Sequence, residues 1–167
     1  KNYDYIIHLA AIVGVENVIS NSYGVLYKNQ LMLQNIIDFA RKQTCKPKII
    51  FTSTSEVYGG SQYHELIKYP TTEENIIVLP DLSLPRTSYM LSKLYGEAMC
   101  HASGLDCLIL RPHNIYGPRM GMKHVIPQLI KKILNTPEQG ILDVYSPNHS
   151  RTFCYVNYAV KKIISLL

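Results

Sequence analysis

No apolar stretch in this 167-residue chain approaches the length needed to span a bilayer, so a membrane-crossing helix is excluded and a soluble protein is expected. No basic run exceeds two adjacent residues, and the excess of 17 Lys+Arg over 12 Asp+Glu, a net +5, is spread along the sequence. Without a basic stripe or a stacking module, nucleic-acid binding is a distant reading, and an anionic small molecule suits the charge as well. The four cysteines (Cys45, Cys100, Cys107, Cys154) show no C-x-x-C spacing and follow no secretory leader. Reduced thiols in a cytoplasmic protein are expected, with no metal site. Internal repeats and low-complexity segments are lacking too. So is an initiator Met: the first residues run straight into a strand-like segment, and a chain cut at its N terminus is the expectation.

What is present reads as one α/β domain over residues 1–167, long enough for a core at 47% hydrophobic content. Tyr3 to Ala11 (YDYIIHLAA) reads as a buried strand with a turn at Gly14. Asn21 to Gln43 carries a helical stripe of Leu26, Leu33, Ile36, Ile37 and Ala40. Lys48 to Thr52 is a second buried strand, leading into Ser53-Thr54-Ser55-Glu56. A long connection with Pro70, Pro80 and Pro85 follows, of the kind that is usually functional or mobile. Thr87 to Ser103 reads as a helix stopped by Gly104, and Asp106 to Arg111 as a third strand. His124 to Asn135 is an amphipathic helix with Pro127 in its first turn. Gly140 to Tyr145 suggests a peripheral strand, Arg151 to Val156 a short extended piece, and Asn157 the cap of a last helix. Strands alternating with helices argue for a parallel sheet with right-handed crossovers. The polar clusters at 10–14, 53–59 and 112–119 fall beyond the carboxyl ends of the strands, where such sheets place their chemistry.

Tyr89 and Lys93 stand one turn apart on one helix face. An ammonium beside a phenol stabilises phenolate, so Tyr89 is a candidate general base with its pKa drawn down by Lys93. Taken alone, Y-x-x-x-K equally describes an interfacial aromatic beside a solvated charge.

Five segments in order decide the matter: HLAA (8–11), TSTSEVYG (52–59), YMLSK (89–93), LRPHNIYGPR (110–119) and RTFCYV (151–156). On these the chain resembles the extended short-chain dehydrogenase/reductases, the NAD-dependent nucleotide-sugar epimerase/dehydratase group. The resemblance implies a partial, doubly wound Rossmann-like sheet with part of a small C-terminal substrate-binding region, its substrate-side elements mainly within 112–156. It implies NAD as cofactor, a nucleotide sugar as substrate, and a homodimer at full length.

Carried onto these positions, Tyr89 would take a proton from a sugar hydroxyl that Thr54 orients, and Lys93 would bond the nicotinamide ribose. Ala10 and Ala11 would let the cofactor approach the backbone, with Pro112 and His113 beside the nicotinamide. As plain residues, the alanines are equally core and His113 a loop histidine. Ser55 and Asn114 would meet the substrate. Arg119 and Arg151 would take the diphosphate, since a guanidinium matches phosphate oxygens bidentately; Arg119 equally suits a surface charge. Glu56 would assist catalysis, or cap nearby loop amides. Ser55-Glu56 replaces the Asp-Glu of the family's dehydratases, which favours epimerase first and decarboxylase second.

The family's glycine-rich fingerprint and its ribose-binding acid are not found in this sequence. Weak NAD binding by the isolated chain and an exposed edge on the first strand are expected, and a catalytically silent fragment or nucleotide-sugar-binding module is the rival of another class.

Overall fold

The computed structural model describes residues 2–167. They form two compact units, one running up to Pro112 and the other spanning His113–Leu167. Among the described residues no helix is long and apolar enough to cross a membrane.

The first unit is built on three parallel strands, β1 (Tyr5–His8), β2 (Lys48–Thr52) and β3 (Cys107–Leu110), in that spatial order. Its helices are α1 (Val15–Ser20), α2 (Ser22–Arg41), the short α3 (Gly59–Tyr63) and α4 (Thr87–Ala102). The register sets His8 beside Phe51, and Phe51 beside Ile109. Two long helices, α2 and α4, pack against each other over one sheet face, and Leu33, Ile37, Ala40, Ile49, Phe51 and Cys100 close the core there. Period-2 and period-3.6 patterns meet at this face, as the stripe on α2 requires. Gly96 permits the approach of α4, since a Cβ there would lie 2.5 Å from Cζ of Phe51.

Local chemistry sets the helix ends. Asn21 caps α2 by accepting from the Gly24 amide at 2.9 Å. After α4, Gly104 takes φ 71°, the left-handed conformation that ends many helices. Leu9, 65% exposed, follows β1, which with β3 forms the two edges of this sheet among the described residues, and Tyr5 and Ile7 on β1 are also exposed.

The second unit pairs β4 (Asn114–Tyr116) in parallel with β5 (Phe153–Tyr155) and carries α5 (Val125–Asn135) and α6 (Val156–Ile164). Two expectations fail here. Residues 140–145 form no strand, and Asn157 lies inside α6, which starts one residue earlier behind an extended Tyr155. Neither α5 nor α6 buries a residue, although both are strongly amphipathic.

Candidate active site

The ladder between β2 and β3 continues past the end of both strands. Ser53 N–H donates to Leu110 O at 2.7 Å, and Ser55 N–H to Pro112 O at 3.1 Å. Residues 53–55 are thereby held at the carboxyl edge of the sheet, where a parallel α/β fold opens its crevice. Thr54 then caps a 3₁₀ turn over Ser55–Tyr58, its hydroxyl accepting from Glu56 N–H at 3.2 Å. The local cap in this loop is therefore Thr54. The Glu56 carboxylate instead faces Arg86, at 3.8 Å between two half-exposed groups.

Helix α4 brings Tyr89 and Lys93 to the same edge. Lys93 is not a solvated charge: it is 4% exposed, its ammonium donates to Thr52 O at 2.6 Å, and it sits 5.1 Å from the Phe51 ring centroid. Burial draws its pKa down to about 8. Tyr89 is half-buried, the neighbouring Thr54 side chain favours its phenolate, and Lys93 Nζ lies 6.0 Å from its ring centroid.

One expectation is corrected here. The Tyr89 pKa is raised, not lowered: burial is the larger cause and the Glu56 charge adds to it, against the effect of Thr54. The Lys93 ammonium is spent on the Thr52 carbonyl and the Phe51 face. His8, stacked on Phe51 with ring centroids 6.0 Å apart, has its pKa lowered by burial and then by the Lys93 charge.

Four of the expected residues, Thr54, Glu56, Tyr89 and Lys93, thus converge, with Ser55 and Pro112 joined to them through the backbone. Ala10 is exposed and Ala11 half-buried, so neither is core, and the backbone beyond β1 stays open to a bound molecule. That open strip, the buried Lys93 donor and the unpartnered, buried Thr52 hydroxyl fit the nicotinamide side of a dinucleotide.

The remaining candidates lie in the second unit. His113 is exposed immediately before β4, and Asn114 Nδ2 donates to Thr152 O at 3.1 Å, next to the exposed Arg151. Arg119 takes φ 66° and lines a cleft of about 830 Å³ with Tyr116, Met120, Ile126, Ile130 and Tyr155. Asn114 and Arg151 do not line that cleft.

Sequence reading missed the supports of the site. Asn29 Oδ1 accepts from Ile12 N–H at 2.8 Å and its Nδ2 donates to Ser92 Oγ at 3.1 Å, tying the turn after β1 to α4. Glu97 accepts from Ser53 Oγ (2.5 Å), Arg111 Nε (2.9 Å) and Arg111 Nη2 (2.5 Å). A polar Asn inside the apolar stripe of α2, and a Glu four residues after Lys93, were the available signals.

Comparison with known proteins identifies the family. The model of the NAD dependent epimerase/dehydratase family matches residues 1–167. The UDP-N-acetyl-alpha-D-glucosaminuronate decarboxylase of Bacillus cytotoxicus is 34% identical, covering 100% of this chain and 51% of that protein. Among solved structures, the UDP-N-acetylglucosamine 4-epimerase of Methanobrevibacter ruminantium M1, in complex with UDP-N-acetylmuramic acid, superposes with a TM-score of 0.76 at 29% identity, covering 98% of this chain and 51% of that one. The UDP-glucuronic acid 4-epimerase of Bacillus cereus, bound to UDP-glucuronic acid and NAD, gives 0.76 at 26% identity, covering 98% and 49%. The chain spans about half the length of the relatives it matches. The family is described as NAD dependent, the Bacillus cereus structure holds NAD, the solved structures share the Rossmann-type α/β fold, and the chain belongs to the NAD-dependent epimerase/dehydratase family.

Proposed function

We propose that this chain carries the catalytic and substrate-side portion of an NAD-dependent nucleotide-sugar epimerase. The observation that supports the reading is the convergence of Thr54, Tyr89 and Lys93 at the carboxyl edge of the sheet. Ala10, Ala11, Lys93, Pro112 and His113 are the residues for the cofactor, which supplies a hydride acceptor and donor for oxidation and re-reduction of a sugar carbon. Thr54 orients the reacting hydroxyl, since its own hydroxyl both donates and accepts. Tyr89 takes the proton from that hydroxyl and returns it. In the described state Tyr89 is firmly a phenol, so the transfer requires a change of charge around it. Closer pairing of Glu56 with Arg86 weakens one cause of the raised pKa, and release of Lys93 from the Thr52 carbonyl lets its ammonium move toward the phenol oxygen. Ser55, Asn114, Arg119 and Arg151 are the residues for the nucleotide sugar.

A decarboxylase is the second reading. Glu56 beside Tyr89, and a 34% identical relative described as a decarboxylase, favour it. Four free thiols agree with a cytoplasmic location. Tyr23 and Tyr27, stacked at 6.1 Å and exposed on α2, with exposed Tyr95 on α4, suit a homodimer contact.

The test is incubation with NAD and either UDP-glucose or UDP-glucuronate, with product analysis and Tyr89→Phe as control. An epimeric product that Tyr89→Phe abolishes supports the first reading, and a UDP-pentose with CO₂ supports the second. Ligand binding without turnover would refute both in favour of a silent binding module.

A further inference from the structure

Three successive residues at the exit of β2 each face one turn of α4, and the first two are bonded to it. The Thr52 carbonyl accepts from Lys93, Ser53 Oγ donates to Glu97, and the side chain of Thr54 neighbours the Tyr89 phenol and favours its phenolate. Their partners stand at positions 89, 93 and 97, one helix face at i, i+4 and i+8. The Ser53 rung is the most elaborate. Glu97 is 4% exposed, and both its oxygens are taken by the fork of Arg111 from the end of β3. Arg111 Nη1 donates onward to Tyr58 Oη at 2.5 Å and to the Glu73 carbonyl at 3.1 Å.

Stability alone is a poor reason to bury such a pair, since apolar residues of similar volume commonly serve as well. Geometry is a better one. A bidentate fork with a third donor leaves the carboxylate no freedom to turn, and it draws Ser53 to a set height on the helix that carries Tyr89.

We propose that Glu97 is a positioning residue: through Ser53, and braced by Arg111, it sets where Thr54 stands against Tyr89. The inference rests on the reading of Thr54 and Tyr89 as the reacting pair. It extends to the long 64–86 connection, whose Glu73 carbonyl is fastened by the same guanidinium.

The test follows the titration of Tyr89 by NMR of ring-labelled tyrosine, assigned with Tyr89→Phe, and needs no turnover. Glu56 and Lys93, the charges facing the phenol, stay in place in every variant. Thr54→Ala should move the titration upward, because the lost side chain favours the phenolate. Ser53→Ala keeps every charge and should move it upward by about half a unit, part of the Thr54→Ala effect. A lowered melting temperature with Tyr89 unmoved would reduce Glu97 and Ser53 to structural roles and overturn the inference. If Thr54→Ala itself leaves Tyr89 unmoved, the reacting-pair reading fails and the inference falls with it. Should Ser53→Ala not fold, Glu97→Gln decides by sign. Release of Thr54 moves Tyr89 upward, whereas removal of a negative charge beside Arg111 alone moves it downward and would refute the proposal.

Discussion

Replacing Lys93 with Met should change how stability varies with pH, in a direction the burial of Lys93 dictates. The ammonium is 4% exposed, and neither its bond to Thr52 O nor the Phe51 ring face offsets desolvation, so its pKa falls from 10.5 to about 8. Below about pH 8 the folded and unfolded states both carry the proton, and the folded state bears the full cost of the buried charge. Between about 8 and 10.5 the folded state has released the proton while the unfolded state still holds it. The unfolded state then binds more protons, so stability rises with pH. The interval corresponds to roughly 3 kcal/mol in full, of which about 2 kcal/mol falls between about pH 7 and pH 9.5. Urea unfolding across that range, in wild type and Lys93→Met, isolates the contribution as the difference in slope. Met keeps the length of the stem and has no proton to release, so its curve should lack the rise. Equal slopes in the two proteins would refute the argument, because they would mean that Lys93 is solvated in both states.

Glu97→Ala should cost about 3–5 kcal/mol in urea melts, since it strands the Arg111 guanidinium. The double replacement Glu97→Leu with Arg111→Met should recover most of that loss. Gly96→Ala should cost about 1–3 kcal/mol, because the added methyl meets Phe51, itself 2% exposed and unable to yield. Asn29→Leu should cost about 1–3 kcal/mol and speed hydrogen exchange at the Ile12 amide, which loses its acceptor.

Much of this protein was legible along the chain. Periodicity located α2 and α4 to within a residue or two at each end, and β2 at its observed bounds. Asn21 and Gly104 marked their helix boundaries through local chemistry. Spacing alone put Tyr89 and Lys93 on one face, and strand order put residues 53–59 at the sheet's carboxyl edge. Such features depend on residues a few positions apart, so a linear reading reaches them. Where flanking signals were weak, as at 140–145 and Asn157, local reading failed.

Only tertiary structure decided the protonation of the site. Whether Lys93 is solvated or buried depends on Phe51 and Thr52, some forty residues away, and the raised Tyr89 pKa depends on burial and on Glu56. The rungs from Ser53 to Glu97 and from Asn29 to Ser92 span 44 and 63 residues. Desolvation and buried hydrogen bonds are set by what surrounds a group in space, and helix periodicity carries no record of that surrounding.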